Sequence, residues 1–435
     1  MRCSMQDIFV QQLPALLAKR ALHGREWRAA ASIRDCYTAQ RGSHRLRCAQ
    51  GHLGEEQFHA CRHRSCPRCA EAARVRWVDD ELTRVLPCPH FHCIFTLPHE
   101  LLALWEYNRE PMIAALFDAV RASLLTLLAD PRHLGALPGL LMSLHTWGRN
   151  LSHHPHIHTL VSAGGLSPQG AWINSRSAYL LPIKPLARMF AGKLISTINN
   201  ALNANELKLP AQLPAPHWHL LLQRLRRAHW NIQINPAYAS ARSVTLYLAR
   251  YALGGPLPKE RALYMQDNQV SFSYTDHRDQ QHKWLTLHAQ EFIQRILWHA
   301  PPKGVHTVRH AGLYATAARA HHRQALIALS TSGMVTSPHI SRSTDCSNAA
   351  AATPALRQAS PPLSPPLCPR CNGPMWRQYA ARRRPDTQGR NEISSSNSQP
   401  HFTTAAPGPT QRSNGHSTAG RSTPQGYSRL RAAGC

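Results

Sequence analysis

Residues 153–165 read HHPHIHTLVSAGG: four histidines within six residues, an apolar run, then a glycine pair. In an extended strand, residues i and i+2 project from the same face. His156 and His158 therefore share a face, and Ile157 between them turns the other way, into a core. Two imidazoles side by side begin a metal site. Spacing alone does not complete it, because the chain holds 28 histidines and repeats the same pattern at His90–Phe91–His92 and His217–Trp218–His219. His153 and His154 fall in the approaching turn, as bystanders or phosphate contacts. Gly164 and Gly165 read as the turn that closes the strand.

Two features lift the 156/158 pair above the others. His145 ends the preceding strand candidate, GLLMSLHTW at 139–147, and a hairpin through GRNLSHHP brings it beside the pair as a third ligand. Downstream, SARSVTLYLARYALGG places Tyr247 and Tyr251 four residues apart. Ser243 caps a helix there and Gly254 stops it, so both phenols lie on one face about a turn apart. A tyrosine pair at that spacing can simply be packing. Beside three histidines it reads as chemistry: a phenolic oxygen attacks phosphorus and stores the bond energy as a phosphotyrosine, while a histidine-held metal neutralises the developing charge. Arg149, Arg242 and Arg250 stand where they can hold a nucleic-acid backbone.

The rest of the chain sets the context. It has 435 residues and a formal net charge of +27, which points to nucleic acid before an anionic membrane surface. No uninterrupted apolar run reaches the ~18 residues of a membrane span, and MRCSMQDIFVQQLPALLAKR lacks the form of a signal peptide, so the expectation is a cytoplasmic protein with no membrane partner. HFHCIFTL (90–97) and HIHTLVSA (156–163) read as further strands, residues 111–130 and 288–299 as helices, and ALYMQDNQVSFSYTD as a hairpin turning at Asp267–Asn268. The fold class is α+β. Three regions follow: 1–75, an N-terminal helix and a cysteine-rich DNA-binding module; 76–330, a globular catalytic domain; and 331–435, rich in Ser, Pro, Gly, Thr and Ala, with too little apolar surface to offset its ordering entropy.

Six of the 12 cysteines fall within residues 1–75, bunched as in metal sites rather than spread as in a disulfide framework. Cys66–Pro67–Arg68–Cys69 is a knuckle that aims two thiolates at one tetrahedral ion. The other half of a structural zinc site comes from upstream: Cys48 with His52, or Cys61 or His63 in competition. Arg41, Arg45, Arg47, Arg62, Arg64 and Arg68 surround this module and suit DNA phosphates. Near the other end, Cys368 and Cys371 form one more knuckle with no second pair nearby. It reads either as a further zinc site or as the relic of a second ribbon.

The order of these motifs resembles the rolling-circle insertion-sequence transposases of the HUH, two-tyrosine type, a superfamily shared with relaxases, plasmid replication initiators and Helitrons. The residues that carry the resemblance are the cysteine module, FHCIFTLPHEL, LHTWGRNLSHHPHIHTLVSAGGLS and YLARY, over residues 45–325. It implies a central antiparallel sheet flanked by helices, with the histidine strand in the middle and the tyrosine helix over it. It further implies a single-strand endonuclease and strand transferase: His156, His158 and the similarly placed His145 as ligands to Mg2+ or Mn2+, Tyr247 and Tyr251 as nucleophiles, and Zn2+ in the N-terminal module. One tyrosine joins a 5′ phosphate and leaves a 3′ hydroxyl to prime replication; the other receives a second strand. The expected partners are single-stranded or hairpin ends of a mobile element, target DNA and the host replication machinery. The chain departs from the pattern at Gly51, where the family has a second cysteine. The competing expectations are a zinc-dependent DNA-binding protein without catalysis, a relaxase or replication-initiator nicking enzyme, and a metal hydrolase that uses water.

Overall fold

The computed structural model describes residues 1–176, 179–238, 254–259, 261–276, 279–331 and 365–379, together with Thr245, Leu246 and Ala249. Its strands in chain order are β1 (Arg2–Cys3), β2 (Ser43–Cys48), β3 (Gln57–Phe58), β4 (His90–Thr96), β5 (Leu137–Trp147), β6 (His153–Leu166), β7 (Trp172–Asn174), β8 (Ile232–Tyr238), β9 (Leu263–Gln266), β10 (Gln269–Thr275), β11 (His282–His288), β12 (Val308–Gly312) and β13 (Met375–Tyr379). The main sheet runs β12-β5-β6-β4-β8, with β7 also on β6, and all its pairs are antiparallel. The strand that opened the sequence reading therefore lies at the centre of a mixed α/β fold.

Alternation decides what each face of this sheet buries. Phe91, Cys93 and Phe95 of β4, Leu140, Met142 and Leu144 of β5, and Ile157 and Val161 of β6 point to one side. The helices Arg109–Ala129 and Ile183–Asn203 cover them with Leu116, Val120, Leu124, Phe190, Leu194 and Ile198, all essentially excluded from water. The Phe95 and Phe190 rings meet at 5.2 Å. By length and composition the helix Arg109–Ala129 could cross a bilayer, but most of its apolar positions are buried here in this core. On the opposite face Leu141 and Leu160 pack with Leu313, Tyr314, Ala325 and Leu329. The remainder of that face carries the histidines.

Gly164 and Gly165 sit inside β6, not in a turn after it. Their role is close approach. A Cβ on Gly165 would lie 2.7 Å from the Leu137 carbonyl oxygen, and one on Gly164 would lie 2.6 Å from the Ile173 oxygen. Both obstacles are backbone of neighbouring strands, which cannot move aside as a side-chain tip can. Gly165→Ala is therefore expected to cost about 2–3 kcal/mol, the upper range for overpacking, read as a lower urea midpoint at unchanged slope.

A second sheet, β1-β9-β10-β11, packs under the helices Met5–Leu17 and Ala289–Trp298. The hairpin turns at Asp267 and Asn268, both with positive φ (48° and 59°), the conformation a two-residue primed turn demands. Ile8, Phe9 and Leu13 share this core with Phe272, Phe292, Ile293 and Cys69, so the first 75 residues pack on residues contributed from beyond 257. A third sheet, β13-β2-β3, joins residues 375–379 to the N-terminal region. Met1–Ala380 form one compact unit, and the remainder, Ala381–Cys435, lies outside the described residues.

Candidate catalytic centre and cysteine clusters

His145 stands directly opposite His156 in the β5–β6 register, and Ser143 opposite His158. Cross-strand partners share a face, so the hairpin delivers all three imidazoles to one place. One ring nitrogen of each lies within 4.8 Å of the others. All three are buried, and Trp147 stacks on His145 at 5.0 Å. Burial pushes His156 down to about 4 and His158 well below its ordinary value, with His145 and His156 adding to the effect on His158. Near neutral pH His156 and His158 are therefore uncharged, the form in which an imidazole nitrogen can hold a cation.

The hydrogen bonds around the cluster fix how each ring is presented. His156 Nδ1 donates to the His154 carbonyl at 2.6 Å, which leaves Nε2 as the unprotonated nitrogen, and that atom lies 3.1 Å from His158 Nε2. His92 Nε2 is 2.8 Å from His158 Nδ1, and the Asn235 amide is 3.0 Å from His92 Nδ1. Hydrogen-bond partners of this kind fix the tautomer and angle of an imidazole, as they do around metal-binding histidines. His92 is thus not an idle copy of the histidine pattern. It shares the face of His158 because Ile94 of β4 pairs with His158, a register the sequence does not display. His90, by contrast, is bonded to the Cys88 carbonyl at 2.8 Å and the Tyr314 hydroxyl at 2.6 Å, under the apolar end of the sheet. His217 and His219 lie on the helix Ala215–Leu225, where i and i+2 diverge. His92→Ala should lower activity about 10- to 100-fold, the usual scale for an orienting partner, and His92→Gln should restore part of it. An unchanged rate in His92→Ala would contradict the role.

The other expected residues of this centre are distributed unevenly. His153 bonds to Glu106 Oε1 at 2.6 Å and stacks on Trp298, a structural role. Arg149 is on the turn between β5 and β6 and donates to the Thr275 carbonyl at 3.0 Å. Tyr247, Tyr251, Arg242 and Arg250, with Ser243, lie outside the described residues.

The cysteines form two groups, and the five candidate ligands of the N-terminal site divide between them. Cys61, Cys66 and Cys69 gather with Cys36, their ligand atoms all within 4.8 Å. Cys36 and Cys61 each bring their sulfur to 3.5 Å from that of Cys69. A zinc tetrahedron with bonds of about 2.3 Å has edges of about 3.8 Å, so this spacing fits one ion. Backbone N–H groups of Arg62 and His63 point at the Cys69 and Cys61 sulfurs. Cys66 is the N-cap residue of the helix Pro67–Leu82; the Cys61 thiol, with the Cys69 and Arg68 amides, lowers it to about 5 even against burial, which favours the thiolate. His63 is turned to the Ser65 amide instead. Cys48 and His52 are not part of this group. They face Cys368 and Cys371, again with ligand atoms within 4.8 Å of one another. The isolated-looking knuckle at the far end of the chain thus has its partners after all. Of the surrounding arginines, Arg45 and Arg47 are exposed on β2, with Trp376 opposite Arg47, whereas Arg64 is bonded to Thr307 and Arg68 lies over the Tyr37 ring at 4.4 Å.

Two families of known proteins match stretches of this chain. Residues 8–97 match the family described as "Transposase zinc-binding domain", and residues 139–322 match the family described as "Putative transposase". The two together define a transposase that carries its own zinc-binding domain. The chain is 35% identical over 314 residues to "Putative transposase y4qJ" of Sinorhizobium fredii, covering 70% of this chain and 79% of that one. It is 30% identical over 289 residues to the transposase for insertion sequence element IS801 of Pseudomonas savastanoi pv. phaseolicola, covering 62% and 68%. No solved structure matches. The chain belongs to the IS91 family of rolling-circle transposases. Its activity is therefore that of a DNA nuclease and strand transferase.

Proposed function

We propose that this transposase nicks and rejoins single-stranded DNA through a covalent 5′-phosphotyrosine, on an HUH-type sheet. The observation that carries the reading is the convergence of His145, His156 and His158 at the middle of the main sheet. Tyr247 and Tyr251 are the nucleophiles; both fall within the matched stretch 139–322. A divalent ion, Mg2+ or Mn2+, held by the three imidazoles would polarise the scissile phosphate and offset its developing charge. Nitrogen ligands alone favour softer metals, but phosphate and water add oxygens.

The residues of the chain do the rest. One tyrosine oxygen loses its proton and attacks phosphorus; the bond to the 3′ oxygen breaks, and the 5′ side stays on the enzyme. Because the phosphodiester is exchanged and not hydrolysed, a 3′ hydroxyl can reverse the step. The second tyrosine lets the same centre hold a further strand. Arg149, Arg242 and Arg250 bind backbone phosphates. The four-cysteine group, with Cys36 in place of Cys48 and His52, binds zinc and shapes the N-terminal region for DNA. The freed 3′ hydroxyl is extended by host replication enzymes, which places the reaction in the cytoplasm, at the nucleoid. The domains are correspondingly 1–75 for DNA binding, 76–330 for catalysis and 331–435 as a tail, of which residues 375–379 pair with β2.

The test is a denaturation-resistant band formed with labelled single-stranded DNA from the element's end, in Mg2+ or Mn2+. The wild type should form it, and Tyr247→Phe/Tyr251→Phe should not. Cleavage that persists in the double variant would favour water as nucleophile. No cleavage by any wild-type preparation would favour a binding protein.

A further inference from the structure

Cys48 and His52 meet Cys368 and Cys371 across more than 300 residues of chain: Cys371 Sγ lies 3.5 Å from Cys48 Sγ, and Cys368 Sγ lies 3.6 Å from His52 Nδ1. We propose that these four residues bind a second zinc ion, and that the ion fastens residues 365–379 to strand β2. This site is separate from the four-cysteine group and independent of the tyrosine chemistry.

Both halves are built as turns that aim their ends inward. In the first, the Gly51 amide bonds back to the Cys48 carbonyl at 3.0 Å with φ +83° at Gly51, and the Cys48 amide to the His52 carbonyl at 3.2 Å. In the second, the Asn372 amide bonds to the Cys368 carbonyl and the Cys368 amide to the Gly373 carbonyl, each at 2.8 Å, with φ +57° at Asn372. Gly51 occupies the left-handed position of its turn, and the neighbouring His52 supplies the ligand that a cysteine there would have given. A Cys3His set is a regular structural-zinc donor set. The two turns are then joined by an antiparallel ladder from Met375–Cys48 to Tyr379–His44.

The apolar contacts at this junction are few. Cys48, Cys368 and Met375 are buried, with Leu46 and Cys371 partly so. A five-residue strand with so small a core does little to offset the entropy of ordering residues 365–379. A metal ion supplies what the core lacks, as it does in other small modules. All four candidate atoms face one another, and the three cysteines form no disulfide.

The experiment is zinc analysis of the full-length protein by mass spectrometry. Two zinc ions per chain are expected in the wild type and one in Cys368→Ser/Cys371→Ser. The ion kept in Cys368→Ser/Cys371→Ser is that of the four-cysteine group, so loss of that first cluster is told apart from loss of this one. His52→Cys guards against loss by misfolding: it should keep two ions and, after cobalt loading, strengthen the thiolate charge-transfer band. One zinc ion in the wild type, or two that survive loss of Cys368 and Cys371, would overturn the proposal. An unchanged cobalt spectrum in His52→Cys would overturn the assignment of His52.

Discussion

His156→Ala/His158→Ala is expected to lower single-turnover strand cleavage by about 1000-fold or more while the chain stays folded. The rate loss follows from removing two of three imidazoles that would hold the cation; charge neutralisation at phosphorus is a matter of several kcal/mol, and each 1.4 kcal/mol is about tenfold. Folding should suffer far less. Ile157 and Val161, on the other face of the same strand, sit in the main core, and their contacts are untouched. The ladder to β4 and β5 is backbone and also remains. A stability cost of about 1–3 kcal/mol is expected from the lost buried volume, with single-stranded DNA affinity within a few-fold of wild type. A cleavage rate within tenfold of wild type would remove the histidines from catalysis.

The second large effect is structural. Cys66→Ser/Cys69→Ser should unfold the N-terminal region and carry the second sheet with it. Structural zinc contributes on the order of 10 kcal/mol in small modules, comparable to the whole stability of a domain. Cys66 and Cys69 lie in the same core as Ile8, Phe9, Leu13, Phe272 and Phe292, so the loss is not confined to a loop. Limited proteolysis should cut residues 1–75 early in the variant and in chelator-treated wild type. Protection equal to the untreated wild type would contradict a folding role for this cluster.

What could be read in the sequence depended on how local the cause was. The histidine strand was legible because a strand's two-residue period is local: Ile157 is fully buried on the core face and His156 and His158 share the other. His145 was reachable because a hairpin connects it directly. The Asp267–Asn268 turn and the helix Arg109–Ala129 were likewise written in neighbouring residues. His92 and Asn235 were not, because their approach to His158 depends on which strand lies beside β6 and in what register. The cysteines show the same limit at longer range. The Cys66–Cys69 knuckle is local, but Cys36 completes it from 30 residues upstream of that knuckle, with no partner spacing to mark it. Cys48 and His52, nearer in sequence, belong elsewhere, and their partners come from the far end of the chain. Proximity in sequence suggested one site for ligands that the fold divides between two groups. The glycine pair was misread as a turn for a related reason: only the neighbouring strands reveal that Gly164 and Gly165 leave room for backbone.

In the proposed reaction a tyrosine of this chain becomes joined to DNA. Mapping the joined residue tests it most directly. Wild-type protein would be reacted with a single-stranded element end, digested with protease and nuclease, and the modified peptide sequenced by mass spectrometry. The expected result is a nucleotide attached through its 5′ phosphate to Tyr247 or Tyr251. A 3′ linkage, attachment to another residue, or cut DNA with a free 5′ phosphate and no modified peptide would contradict it.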